Sequence, residues 1–200
     1  MKSKILLIGE DKCTGCSICA RICHAHAIHM APDAEGFYMP VVDLNLCTKC
    51  GVCANNCPIA NKEAPQKDKI QQKVLACQAN NTSILVEATA GGLFPLAAQW
   101  VLKQKGVVFG AAYNKQMQLV HCAADNFQAI ARFNGSKYIQ SDISCALDEA
   151  REYLRQGRTV LFSGTPCQID AVKRYCKSVS QNLYTIDLVC YGVPSPKLFR

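Results

Sequence analysis

Eight of the fourteen cysteines fall within the first 60 residues and form two copies of one run. Cys13, Cys16, Cys19 and Cys23 recur as Cys47, Cys50, Cys53 and Cys57, each 34 positions on. Thr14 is matched by Thr48 and Ala20 by Ala54. Both runs read C-x-x-C-x-x-C-x-x-x-C. Three thiolates at this spacing wrap one corner of a cubane 4Fe–4S cluster, while the fourth cysteine of the run reaches the other cluster. The expected ligands are therefore Cys13, Cys16, Cys19 and Cys57 for cluster one, and Cys47, Cys50, Cys53 and Cys23 for cluster two. Zinc is the competing reading, but structural zinc takes four ligands in separated pairs, and duplicated triplets suit clusters better. Pro58 follows the second run as the pattern expects, and His24 stands in its place after the first. His24, His26 and His29 read as surface or packing residues.

The elements that must hold these runs are short. Ile5–Ile8, Ala27–Met30 and Phe37–Val42 read as extended, with a turn at Pro32-Asp-Ala-Glu-Gly36. Each half is too small for a core of its own, and cluster cross-links supply what is lacking. Residues 1–61 are expected to form an α+β, ferredoxin-like domain. A polar, Lys-rich stretch from Asn61 to Gln72 reads as a linker, and residues 62–80 as linker and entry strand.

From residue 81 onward the texture is that of an α/β domain with a mostly parallel sheet, incomplete at Arg200. Ile84–Ala88, Val107–Ala112, Met117–Ala123, Thr159–Ser163 and Leu183–Val189 are the expected strands. Leu93–Lys103, Phe127–Phe133, Ala146–Arg155 and Gln168–Tyr175 are the expected helices, the second opened by Asp125 or Asn126. The chain stops soon after a fresh strand and a Pro-rich turn, so a C-terminally truncated piece is expected.

Composition bounds the class. Half of the 200 residues are hydrophobic and 18% are charged, as in ordinary soluble domains. No apolar run reaches the roughly 18 residues of a membrane span, and the N-terminus lacks a signal-peptide pattern. A cytoplasmic protein with reduced thiols is expected. The net charge of +7 arises after residue 61, where seventeen basic residues face ten acidic ones. That excess suits an anionic partner or phosphorylated cofactor, whereas no nucleic-acid module is present and the basic residues are scattered.

Several strings in this region sit where strands meet helices. Gly91 and Gly92 precede a helix and let backbone N–H groups approach a phosphate. Gly135, Ser136 and Lys137 offer a turn, a hydroxyl and a cation. Gly164 and Thr165 join a strand to a helix in Ser163-Gly-Thr-Pro-Cys-Gln168. Taken in order, Gly91–Phe94, Gly106–Ala112, Gly135–Ser141, Val160–Ile169 and Asp187–Pro196 resemble the coenzyme F420 hydrogenase/dehydrogenase beta subunit family. That family often begins with a two-cluster ferredoxin domain. The resemblance implies FAD on the α/β domain, exchanging hydride with coenzyme F420 or another small-molecule donor or acceptor. The clusters would feed or drain the flavin one electron at a time.

Cys167 and Cys190 each follow an expected strand, at the carboxyl edge where α/β sheets place ligands. They are candidate ligands of a third 4Fe–4S cluster, and the resemblance implies that a further C-x-x-C pair in the full-length protein completes it. Cys77, Cys122, Cys145 and Cys176 lack this placement and read as small buried residues. Two functions stay open: an iron–sulfur flavoprotein oxidoreductase, and a non-catalytic electron-transfer module serving a partner redox subunit or a polysaccharide-biosynthesis enzyme. Either implies a redox partner protein.

Overall fold

The computed structural model describes residues 8–9, 11–61 and 73–199. The strand expected at Ile5–Ile8 and the linker expected up to Gln72 lie largely outside the described residues. The first domain holds α1 (Ile18–Arg21), β1 (Ile28–Pro32), β2 (Tyr38–Val42) and α2 (Val52–Asn56). β1 and β2 pair antiparallel, with Ile28 opposite Val42. Asp33 closes their turn, its Oδ1 accepting from the N–H groups of Glu35 and Phe37, both at 2.9 Å. This small domain buries Cys19, Ile28, Cys53 and Cys57 together, with Met30, Val42 and Ile59 packed against them.

The second region carries α3 (Thr82–Glu87), α4 (Leu93–Lys103), β3 (Val107–Tyr113), β4 (Leu119–Ala124), α5 (Ser144–Arg155), β5 (Val160–Gly164), α6 (Pro166–Tyr175) and β6 (Leu183–Asp187). The sheet order is β4-β3-β5-β6. β3 pairs antiparallel with β4, while β3–β5 and β5–β6 are parallel. The mostly parallel sheet expected from strand–helix alternation is therefore present. Its faces follow the period of two. Val107, Phe109, Val160 and Phe162 face α5 and α6, while Val108 and Leu161 face α4.

One element departs from expectation. Ile84–Ala88 is not a strand: Thr82–Glu87 is helical, and the Asn81 side chain accepts from the Ser83 N–H at 2.9 Å. The N-cap outweighs the β-branched content of Ile84 and Val86. Residues 73–80 form no strand either. The expected helix at Phe127–Phe133 is a shorter 3-10 turn, Ala129–Phe133, capped by Asn126 through Ala129 N–H at 2.8 Å. Helix α6 begins two residues earlier than expected, because Pro166 suits the first helical position and Gln168 Oε1 returns to Thr165 N–H at 3.0 Å.

The two regions are packed together. Cys16 and Ile18 belong to the core formed by β3, α5, β5 and α6. Arg21 pairs with Asp148, and Arg174 donates to the Asn61 carbonyl at 2.6 Å. Gln140 Oε1 accepts from Tyr38 N–H at 2.9 Å. Farther along the chain, Ser195 donates to the Glu35 carbonyl at 2.6 Å and Lys197 to that of Ala34 at 2.8 Å.

Candidate functional site

The duplicated cysteine runs fold into duplicated backbone. Gly15 and Lys49 occupy matching positions and both are left-handed, at φ 64° and 57°. Ser17 and Gly51 match likewise, at φ 63° and 79°, and each precedes a short helix, α1 or α2. These bends turn three cysteines of each run toward one point. Two cavities result. One, of about 160 Å³, is lined by Cys13, Cys16, Cys19 and Cys57, with Thr14 beside them. The other, of about 390 Å³, is lined by Cys47, Cys50, Cys53 and Cys23, with His24 and Lys49 beside them.

The donor chemistry fits iron–sulfur clusters. All fourteen cysteines are free, and among the described residues no three His, Cys, Asp or Glu side chains crowd closely enough for a single metal ion. Burial pushes the Cys16 thiol up to about 12, with further push from the charges of Cys57, Cys13 and Cys167. Burial also raises Cys19 and Cys13, and for both the neighbouring thiolates of the same cavity add to it. Thiols held together against their own charge repulsion suit a cationic iron core that requires them deprotonated. Burial raises Cys53 as well, and Cys23 and Cys50 add to it. Exposed Cys50 moves the other way, lowered by the Val52 N–H and then by the Thr48 hydroxyl. Thr14, the counterpart of Thr48, has a buried hydroxyl without a partner among the described residues. A cluster sulfur in its cavity would be an acceptor for it.

The sheet edge beside the smaller cavity carries Cys167 and Cys190. Gly164 pairs with Asp187 across β5 and β6, and each cysteine lies three residues beyond its member of that pair. Cys167 is half-buried and its Sγ lies 3.2 Å from Thr165 Oγ1. Its charge reaches Cys16. Cys190 is exposed, and its sulfur accepts from Gly192 N–H at 3.4 Å. Of the four cysteines expected to be buried, only Cys176 is; Cys122 is half-buried, and Cys77 and Cys145 are exposed. Cys145 lies at the start of an amphipathic helix and Cys77 in a loop, so neither meets the sheet.

Sequence reasoning missed a buried polar chain behind this edge. Gln168 Nε2 donates to Ser141 Oγ at 2.9 Å, and Ser141 Oγ donates to His121 Nδ1 at 3.1 Å. His121 Nε2 in turn donates to the Ser163 carbonyl at 2.9 Å. The carbonyl only accepts, which fixes the neutral tautomer. Burial lowers His121 to about 4. A lone histidine on an apolar strand was the only signal for it.

The residues expected at FAD are distributed as follows. Gly91 and Gly92 are left-handed, at φ 74° and 75°, in the kink before α4. A Cβ on Gly91 would lie 2.8 Å from the Cys77 carbonyl oxygen, and one on Gly92 would lie 2.9 Å from Ile84. Their own chain thus supplies a reason for both glycines. Phe94 of α4 meets Phe133 at 6.3 Å between ring centroids, which brings this kink beside the Gly135–Lys137 turn. Lys137 Nζ donates to the carbonyls of Phe133, Asn134 and Gly135, at 2.8–3.2 Å. Gly135 is left-handed with open space beside it. Gly164 and Thr165 stand at the start of α6, where Thr165 opens the helix.

Comparison with known proteins gives two family matches. Residues 12–61 match the 4Fe-4S dicluster domain family. Indolepyruvate oxidoreductase subunit IorA of Thermococcus kodakarensis is 41% identical over 58 residues, which are 29% of this chain and 8% of that protein. Ferredoxin-type protein NapF of Escherichia coli K12 is 38% identical over 45 residues, 22% of this chain and 27% of that one. The chain thus spans a small part of these relatives. A chain of the F420-reducing nickel–iron hydrogenase complex from Methanosarcina barkeri aligns with TM-score 0.49 and 23% identity, over 61% of this chain and 45% of that one. The match and the cysteines of the first domain support an iron–sulfur electron-transfer module with two 4Fe–4S clusters. Residues 157–200 match the family of the carboxyl-terminal part of the coenzyme F420 hydrogenase/dehydrogenase beta subunit. Residues 12–61 are thus similar to dicluster ferredoxin domains, and residues 157–200 to the carboxyl-terminal part of that beta subunit.

Proposed function

We propose that this chain relays single electrons between a redox partner protein and an α/β unit of the F420 hydrogenase/dehydrogenase beta-subunit type. The observation that carries this reading is the pair of cavities, each lined by three cysteines of one run and the fourth of the other. Cys13, Cys16, Cys19 and Cys57 would hold one cluster, and Cys47, Cys50, Cys53 and Cys23 the other. Clusters so held accept and return one electron at a time, and a flavin converts such electrons to a hydride. The protein's own contribution is to bury the first set, to supply the Thr14 and Thr48 hydroxyls, and to press α1 against α5 and α6.

FAD would lie where the α4 kink meets the Gly135–Lys137 turn, with Gly135 and Ser136 as the open donors. Coenzyme F420 or another small molecule would then exchange hydride with it. Cys167 and Cys190, at equal offsets beyond paired strand residues, would contribute to a third cluster. One observation favours the second reading, a non-catalytic electron-transfer module: Gly91, Gly92, Lys137 and Thr165 are all committed to contacts within the chain. Anaerobic purification with iron, sulfide and flavin analysis separates the two. About eight irons with stoichiometric FAD support the flavin enzyme. About eight irons without flavin leave the relay and remove the hydride step from this chain. Lys137→Ala sharpens the result, since unchanged FAD affinity excludes Lys137 from the pyrophosphate. Among the described residues no helix is long and apolar enough to cross a membrane.

A further inference from the structure

The two four-cysteine sites differ in what surrounds them. The Cys13 site backs onto the sheet region: Cys16 and Ile18 are part of that region's core. Both cavities are lined by residues of the small domain, but among the described residues none that belongs to the core of the sheet region lines the Cys47 cavity. Its loop, residues 43–50, is exposed except for Cys47, and Cys50 lies at the surface. Leu44 and Leu46 stand out of this loop, 56% and 53% exposed. Lys49 and His24 line the cavity, and among the described residues no carboxylate does. The one acidic residue of the loop, Asp43, is engaged by Asn45 N–H at 2.9 Å.

An apolar pair beside a cation, at the mouth of a redox site, is a surface for a protein that brings a complementary face and one electron. We propose that the 43–50 loop is the docking face for an acidic one-electron carrier protein, the Cys47 site facing outward and the Cys13 site facing the sheet. The proposal rests on the two-cluster reading above. One electron is exchanged at this face: the carrier is oxidised as the protein is reduced, or the reverse, and no proton or atom moves with it.

The test uses the whole chain, prepared anaerobically with its clusters, and a small acidic flavodoxin as the carrier. Titration should show binding that weakens with salt. Lys49→Glu and Leu46→Asp should each weaken it by roughly tenfold, while Lys115→Glu, in the β3–β4 turn outside the small domain, should change it less than about twofold. Iron content is measured in every variant. A wild-type count well below about eight irons per chain defeats the two-cluster reading. A full count with no flavodoxin binding, or with binding equally strong in Lys49→Glu, overturns the docking face alone. A second readout needs no carrier. A soluble chromium oxalate complex should speed the electron-spin relaxation of Cys13→Ala, which keeps the outer cluster, more than that of Cys47→Ala. Equal acceleration in the two overturns the outward placement.

Discussion

The two cysteine runs are the same in spacing and in backbone, yet their surroundings are opposite. Each bends through left-handed residues at matching places, Gly15 with Lys49 and Ser17 with Gly51. The first run then enters a core shared with α5 and α6, while the second borders a loop that faces solvent. The repeat fixes how thiolates gather. The neighbouring domain fixes how deep each set lies, and depth changes the dielectric, the hydrogen bonds and the access that govern electron exchange.

The largest expected contrast comes from removing one ligand on each side. Cys16→Ala and Cys50→Ala should each lose about four irons. Cys16→Ala also opens space in the shared core, which costs on the order of 1 kcal/mol more. Its unfolding midpoint in denaturant should therefore fall below that of Cys50→Ala, and equal midpoints would break the contrast of depth.

Glycine substitutions sharpen the same comparison. Gly15 is left-handed, and a Cβ there would lie 2.6 Å from the Tyr38 carbonyl oxygen and against Gln140. Gly15→Ala should cost more than about 2 kcal/mol, the sum of left-handed strain and overpacking. Gly51→Ala, at φ 79°, should cost roughly 1–2 kcal/mol from strain. Urea unfolding followed by far-ultraviolet circular dichroism measures both.

A pH effect on the acid side is expected from the sheet region. His121 is held neutral, lowered by burial to about 4, whereas an unfolded histidine titrates near 6.5. The unfolded state thus binds more protons between these values, and stability falls as pH drops through that window, by up to ~3 kcal/mol. Between pH 6.5 and 5 this slope should appear in urea midpoints and be lost in His121→Gln. A slope that persists in the variant assigns it elsewhere.

The smallest effect concerns one hydroxyl. If Thr14 donates to a sulfur of its own site, it favours the more negative, reduced state. A bond of about 1 kcal/mol corresponds to roughly 40 mV for a one-electron couple. Thr14→Val should lower one midpoint potential by about that amount and leave the other in place, as redox titration followed by electron paramagnetic resonance would show.

Much of this was legible in the cysteines. Their spacing alone points to the crossed assignment proposed above, because a run of fixed geometry carries its own three-dimensional meaning, and the cavity linings support it. The strands with buried runs, such as Val107–Tyr113 and Val160–Gly164, were equally plain. Local chemistry misled where two signals competed: Asn81 capped a helix over a β-branched stretch. The glycine and lysine strings of the α/β region were read as phosphate contacts. The structure provides in-chain reasons for Gly91, Gly92 and Lys137 as well, since a close approach to backbone and a close approach to a ligand demand the same residue type. The His121–Ser141–Gln168 chain joins three separate segments and leaves no periodic trace.

Iron content in paired cysteine variants tests the central claim most directly. Under the crossed arrangement, Cys19 and Cys57 serve one cluster, so the double variant Cys19→Ala/Cys57→Ala should keep about four irons per chain. Cys19 and Cys23 serve different clusters, so Cys19→Ala/Cys23→Ala should keep almost none. If Cys19→Ala/Cys23→Ala retains about four irons and Cys19→Ala/Cys57→Ala retains none, each run ligates its own cluster and the account is contradicted.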